Sequence, residues 1–118
     1  MHLATLKDGS LDGRLLVVSR DHRRAVAAGA IAPSLLHALQ HWDETAPALQ
    51  ALAAQLEAGR AANAFEFDPK ACAAPLPRSP QWLDGSAFLN HGRLMEQAFN
   101  TPPIPDFDTV PVMYQGAS

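Results

Sequence analysis

An aspartate and a histidine seven residues apart, Asp84 and His91, are the side chains of this sequence best suited to chemistry. Seven residues are about two turns of an α-helix, so a helix here would place both near one face. A carboxylate can hold a hard cation and an imidazole can take a proton from water, which together make half of a hydrolytic site. The same spacing suits a structural role, in which Asp84 or Ser86 caps a helix and His91 is an ordinary helical residue.

The other histidines and the single cysteine offer weaker chemistry. His37 and His41 have the i, i+4 spacing that puts two imidazoles on one helical face, but a zinc site also needs a third ligand. We therefore interpret this pair, like His2 and His22, as surface residues. Cys72 has no second cysteine with which to form an intrachain disulfide, and we expect it to pack as a small apolar side chain.

Composition excludes several classes of protein. The chain has 118 residues, a formal net charge of −3 and an ordinary hydrophobic share of 47%. No basic face could follow a phosphate backbone, so we expect no nucleic-acid partner. No apolar run approaches the roughly 20 residues that span a bilayer, and the first residues lack the apolar region of a signal peptide. A cytoplasmic protein without a membrane partner is the expectation.

The pattern of turns, apolar residues and prolines predicts an α+β fold. Turn residues at 8–13 separate two strand-like segments, and Leu49, Leu52 and Leu56 repeat with the period of a helix that Gly59 would end. We predict a small antiparallel sheet packed by a helical hairpin, followed by one more helix. The predicted strands lie near 2–7, 14–19 and 23–27, the helices near 33–42, 43–58 and 86–99, and the domains at 1–70 and 71–118.

Several segments resemble proteins of the fumarylacetoacetate hydrolase (fumarylacetoacetase) family. The most specific are residues 74–91, which include WLDGSAFLNH, and residues 111–118, PVMYQGAS. The opening residues 3–9, LATLKDG, and residues 16–21, LVVSRD, are also similar to the start of those proteins. The resemblance thus spans nearly the whole chain, with an N-terminal domain followed by the beginning of a catalytic domain.

The resemblance implies a role for three residues. In the family a catalytic histidine follows a metal-binding aspartate by seven residues, which matches Asp84 as a metal ligand and His91 as the general base. Tyr114 matches a tyrosine that faces the substrate. Two departures are visible: Ser86 stands where family members often carry a tyrosine, and Glu96, five residues after His91, is poorly placed as the glutamate partner of that histidine.

The implied reaction is hydrolysis of a carbon–carbon bond in a β-diketo acid, as in aromatic amino acid catabolism, with Mg²⁺ or Ca²⁺ stabilising the departing enolate. The family's other metal carboxylates lie in a later domain, so we expect this chain alone to bind metal weakly or not at all and to be inactive. The resemblance also implies a homodimer. Two alternatives stay open: a non-catalytic accessory or dimerisation domain, and an isomerase or decarboxylase of the same superfamily. Exposure of the aromatic residues after position 71 would favour the hydrolase over the accessory domain.

Overall fold

A computed structural model of the protein describes residues 1–117, with side chains through position 116. The chain divides into two compact units, Met1–Arg78 and a second unit that begins at Ser79. The first unit contains β1 (His2–Leu6), β2 (Arg14–Val18), β3 (Arg24–Ala27), α1 (Leu35–Gln40), α2 (Trp42–Glu57) and β4 (Phe65–Glu66), followed by a 3-10 turn, Pro69–Ala71. The second unit contains β5 (Trp82–Ser86), α3 (Leu89–Phe99) and β6 (Val112–Ala117).

The sheet of the first unit is an antiparallel meander in the order β1-β2-β3-β4. Successive strand residues point to opposite faces, and β2 buries both of its faces. Leu15 and Val17 pack into the core that includes residues of α1 and α2, whereas Leu16 and Val18 pack with Ala25 on the other face. Burial on both sides explains why this strand is a continuous apolar run.

The two helices form a hairpin that covers the sheet. The Ser34 side chain accepts a hydrogen bond from the His37 N–H and so caps α1. The Thr45 hydroxyl donates to the Ala38 carbonyl across the helix junction at 2.9 Å. Leu49 and Leu56 are fully buried on the inner face of α2. The hairpin and the sheet therefore share one core.

The α+β prediction is confirmed, with adjustments at the ends of the helices. The second helix begins at Trp42 with His41 as its N-cap residue, so Asp43 lies in the first turn. Gly59 ends that helix as expected, with a left-handed φ of +70° that suits glycine. A fourth strand, β4, joins the sheet edge through Ala25 and Phe65. Its two residues are too few to show a period of their own.

Residues 71–78 belong to the first unit because they form hydrogen bonds to β1 and to the turn between β1 and β2. The Lys7 N–H donates to the Ala71 carbonyl at 3.0 Å, and the Thr5 hydroxyl donates to the Pro75 carbonyl at 2.7 Å. Arg78 forms two hydrogen bonds to the Asp12 carboxylate, at 2.8 and 2.6 Å. The division between units thus falls after residue 78, eight residues beyond the boundary expected from the sequence.

The second unit is a two-stranded antiparallel ladder of β5 and β6, with α3 between them in the chain. Two glycines let aromatic rings approach closely: Trp82 lies over Gly116 and Phe107 lies over Gly92, where a Cβ atom would clash. The helix begins at Leu89, three residues later than predicted, because 82–86 pair with β6 as a strand. The N-cap is Phe88, without a side-chain hydrogen bond.

Among the described residues, no helix is both long enough and apolar enough to cross a bilayer.

Candidate functional site

The ladder of the second unit brings together residues from two separate motifs. Asp84 of β5 lies directly opposite Tyr114 of β6, and Ser86 lies opposite Val112. Directly opposed residues of an antiparallel pair share a face of the sheet, and so do residues two positions apart. Asp84, Ser86, Val112 and Tyr114 therefore lie on one face of this ladder.

A cavity of about 550 Å³ opens beside that face, and both Asp84 and His91 line it. His91 is the third residue of α3, and it is exposed. The proposed helix cap is thus wrong, because Asp84 lies in a strand and not at the mouth of the helix. Asp84 and His91 line this one cavity from two different elements, β5 and α3, and not from two turns of a single helix.

The walls of this cavity are largely apolar. Apolar surroundings strengthen the electrostatic interactions of any polar group that points into a cavity. The helical period predicts Phe88 and Met95 beside His91, whereas Ile104, Phe107 and Val112 lie outside α3 and no local sequence signal marks them. The apolar side chains of the wall are Phe88, Met95, Phe99, Ile104, Phe107 and Val112.

Tyr114 is related to this cavity by strand register and does not line it in the described structure. Its side chain is 62% exposed. A phenol on the same sheet face as Asp84 can donate a hydrogen bond to a molecule that extends from the cavity along the ladder. Tyr114 is therefore an exposed cross-strand neighbour of Asp84 and not part of the cavity lining.

Glu96 also lines the cavity, together with His91. Its Oε1 atom accepts a hydrogen bond from the Ile104 N–H at 3.2 Å. That bond holds the carboxylate against the segment that follows α3. Glu96 and His91 therefore share the surroundings of one cavity, although their spacing of five residues is poor for a direct pair on a helix.

Within residues 1–117, no group of three or more histidine, cysteine, aspartate or glutamate side chains is arranged to hold a metal ion. A Ca²⁺ ion takes about six to eight oxygen ligands, and Mg²⁺ is anchored by one or two carboxylates together with waters and substrate oxygens. Asp84 can supply one carboxylate. The described residues therefore do not by themselves make a complete shell for either cation.

The aromatic side chains of the second unit are poorly covered. Trp82 is 55% exposed, Phe88 73%, Phe99 68% and Tyr114 62%. No residue from 79 to 116 is buried. Phe88 and Phe99 line the same cavity, and exposed apolar surface of this kind is typical of surfaces that contact another domain, a partner or a ligand.

Other sequence candidates lie in the first unit. Burial raises the pKa of the Cys72 thiol, with Asp68 adding to the effect, so the nucleophilic thiolate is disfavoured at neutral pH. The His37 and His41 rings stack on one helical side with centroids 4.4 Å apart. His2 and His22 are exposed as predicted, but they are also in contact with each other.

Comparison with protein families gives one match, which covers the first unit. Residues 1–78 match the family described as fumarylacetoacetase N-terminal domain 2, and these are the same residues that form the compact first unit. No curated protein matches the chain. Because the match covers 78 of the 118 residues, the chain belongs to the fumarylacetoacetase family through its N-terminal domain 2.

Proposed function

We propose that this chain is the N-terminal part of a metal-dependent hydrolase that cleaves a carbon–carbon bond in a β-diketo acid. One observation carries the proposal: Asp84 and His91 line a single cavity of about 550 Å³, and Tyr114 lies opposite Asp84 in the adjoining strand. Family membership of residues 1–78 supports it from outside the site, since the matched segment ends before Asp84.

The roles follow from the chemistry of each side chain. His91, on the cavity wall, takes the proton of a water molecule, because imidazole is the side chain best suited to this near neutral pH. The activated water attacks the carbonyl carbon next to the bond that breaks. Tyr114 donates a hydrogen bond to the substrate from the same sheet face. The apolar wall limits competing water.

In this proposal Mg²⁺ or Ca²⁺ would stabilise the enolate that departs, and Asp84 would supply one of its oxygen ligands. A separate catalytic domain would supply the further carboxylates. We therefore propose that the isolated chain has no hydrolase activity and binds these cations weakly or not at all. Micromolar binding of Mg²⁺ or Ca²⁺ to the isolated chain in a calorimeter would contradict this part of the proposal.

The exposed aromatic residues support the hydrolase over a purely accessory domain. A self-contained accessory module would bury Trp82, Phe88 and Phe99 in its own core, whereas these side chains are more than half exposed. An isomerase or decarboxylase of the same superfamily would use the same aspartate and histidine, so it stays a second candidate. The proposal extends to a cytoplasmic homodimer acting on a small diketo acid, without nucleic-acid or membrane partners.

The first test is the reading frame past codon 118. A catalytic domain with paired carboxylates is expected there, and a stop codon would favour the accessory domain. In the longer protein, His91→Ala should lower kcat by about 10²- to 10⁴-fold, the usual contribution of a general base. Because His91 is exposed, the variant should keep its melting temperature.

His37→Ala is the matched control, since it removes another exposed helical histidine from the first unit. It should leave kcat unchanged. Full activity of the His91→Ala enzyme would exclude the role of His91 as the base. An equal loss in both variants would show that the effect is structural and would contradict the assignment.

A further inference from the structure

We propose that the cavity of the second unit selects β-diketo acids whose acyl group ends in an apolar chain, and rejects those whose acyl group ends in a second carboxylate. The inference rests on the proposed function and deepens it, because that function does not specify the group on the far side of the reacting carbonyl. The selecting surface is the part of the cavity wall that continues from His91 along α3 and into the segment that follows this helix.

The cavity wall along α3 is apolar beyond His91. His91, Met95 and Phe99 all line the cavity, and steps of four residues keep them on one side of the helix. With a rise of about 1.5 Å per residue, Met95 lies about 6 Å and Phe99 about 12 Å from His91 along the helix axis. An extended hexanoyl chain is about 6 Å long from its carbonyl carbon to its methyl carbon, for C–C bonds of about 1.5 Å. With its carbonyl beside His91 and its chain along α3, such a group ends level with Met95.

The segment after α3 supplies more of the apolar wall and is held against the helix. Ile104 and Phe107 of this segment both line the cavity. The Phe107 ring lies over Gly92, and the Ile104 N–H donates to the Glu96 carboxylate at 3.2 Å. These contacts form the wall before a ligand binds, which lowers the entropic cost of holding an apolar chain there.

The charges of the lining oppose a second carboxylate. Its ionisable side chains are Asp84, His91 and Glu96, and no lysine or arginine is among the described residues that line this cavity. Arg93 of α3 pairs instead with the Asp108 carboxylate, at 3.3 Å. A carboxylate at the end of the acyl chain would therefore lie among apolar side chains and near the carboxylate of Glu96, without a cation to balance it. Both surroundings disfavour a negative charge.

Two matched ligands test this selection without requiring turnover. Hexanoylpyruvate and adipoylpyruvate have the same number of carbon atoms and the same diketo acid group, and they differ only in ending in a methyl group or a carboxylate. Titration of each ligand into the chain, followed by nuclear magnetic resonance, measures the two dissociation constants. Hexanoylpyruvate should bind about tenfold or more tightly than adipoylpyruvate, because only the second ligand brings an unbalanced charge to the wall.

A cation added to the wall should remove the preference. Met95→Lys should bring the two dissociation constants to within about threefold of each other or reverse their order. Leu94→Lys is the matched control, because it adds the same charge at the neighbouring position of α3, outside the cavity lining. It should leave the preference for hexanoylpyruvate unchanged. Met95 and Leu94 are 38% and 54% exposed, so we expect both variants to fold.

A further variant isolates the charge of Glu96. Glu96→Gln removes the negative charge and keeps an amide oxygen that can accept from the Ile104 N–H, so the wall should stay in place. Adipoylpyruvate should bind this variant about threefold or more tightly than it binds the unchanged chain, while the binding of hexanoylpyruvate should change by less than about twofold. Glu44→Gln, which removes a charge from the exposed first turn of α2, should change neither constant.

Three outcomes would overturn the selection. The first is the absence of hexanoylpyruvate binding to the unchanged chain. The second is binding of adipoylpyruvate that is equal to or tighter than that of hexanoylpyruvate. The third is an equal loss of the preference in Leu94→Lys and Met95→Lys, which would show that net charge and not the cavity wall decides.

Kinetics in the longer protein separate this inference from the proposed function. Cleavage of both compounds with equal kcat/KM would refute the selection and leave the hydrolase in place. Selective binding of hexanoylpyruvate to the chain, with no cleavage of either compound by the longer protein, would refute the hydrolase and leave the selection in place.

Discussion

The two units of this chain differ in how far their apolar side chains are buried. In the first unit Leu15 and Leu49 are fully buried between a four-stranded sheet and a helical hairpin. In the second unit no residue from 79 to 116 is buried, and Phe88 and Phe99 are 73% and 68% exposed. The difference indicates that the first unit is stabilised by its own core, whereas the described residues of the second unit leave their apolar side chains exposed.

The same division separates the family domain from the candidate chemistry. The family match ends at Arg78, where the first unit ends, and Asp84, His91 and Tyr114 all lie after it. Residues that bear chemistry commonly lie on segments of lower local stability, since binding and closure require movement. The first unit is therefore the family domain, and the second unit carries the candidate site.

The largest expected effect contrasts a core residue with an exposed one. Leu49→Ala should lower the free energy of unfolding by about 2–5 kcal/mol, because it opens a cavity in the core that joins the sheet to both helices. Phe88→Ala should change it by less than about 0.5 kcal/mol. Urea denaturation followed by circular dichroism measures both, and equal losses would contradict the comparison.

An intermediate effect is expected at the turn between β1 and β2. Gly13 has a φ of +65°, and an added Cβ would lie 2.5 Å from the Thr5 side chain and 2.7 Å from the Leu6 carbonyl oxygen. Gly13→Ala should therefore cost about 1–3 kcal/mol. Gly9→Ala is the matched control, because Gly9 shares a positive φ but has open space around it. If thermal melting shows the two variants to be equally stable, close packing at Gly13 is not important.

The smallest effect concerns the ion pair that joins Arg78 to Asp12. The hydrogen bond from Arg78 lowers the pKa of the Asp12 carboxyl. A lowered folded pKa stabilises the fold above the unfolded value of about 3.9, and this contribution is lost as pH falls through the folded pKa. Arg78→Ala should thus shift the urea midpoint slightly at pH 6 and less at pH 3. A shift that grows on acidification would contradict the assignment.

The sequence predicted the first unit better than the second, for a physical reason. Its strands and helices are marked by local signals: turn residues at 8–13, an apolar run in β2 and a left-handed glycine after α2. The strand β5 has no such signal, since its structure depends on pairing with β6 more than twenty residues later. For that reason local signals predict Asp84 at the N-terminus of a helix, whereas the structure has it in the strand β5.

Side chains that are distant in sequence but close in the structure show the same limit of local sequence signals. The family resemblance, together with the spacing, predicted roles for Asp84 and His91, yet neither predicts the apolar residues distant in sequence that complete the cavity both line. His2 and His22 share no spacing rule. They meet because β1 and β2 pair with His2 opposite Val18 and the following turn folds back. A prediction of the register between β1 and β2 would have revealed the contact between His2 and His22.

Amide hydrogen exchange tests most directly the central claim that residues 1–78 are a self-supporting domain while the site-bearing segment lacks a core. The comparison is between helix amides that have the same backbone bonding: those near Leu52 in α2 and those near Met95 in α3. The account predicts that α2 amides open only with global unfolding, at about 5 kcal/mol or more, and that α3 amides open at a free energy at least about 2 kcal/mol lower. Equal protection of α2 and α3 would contradict it.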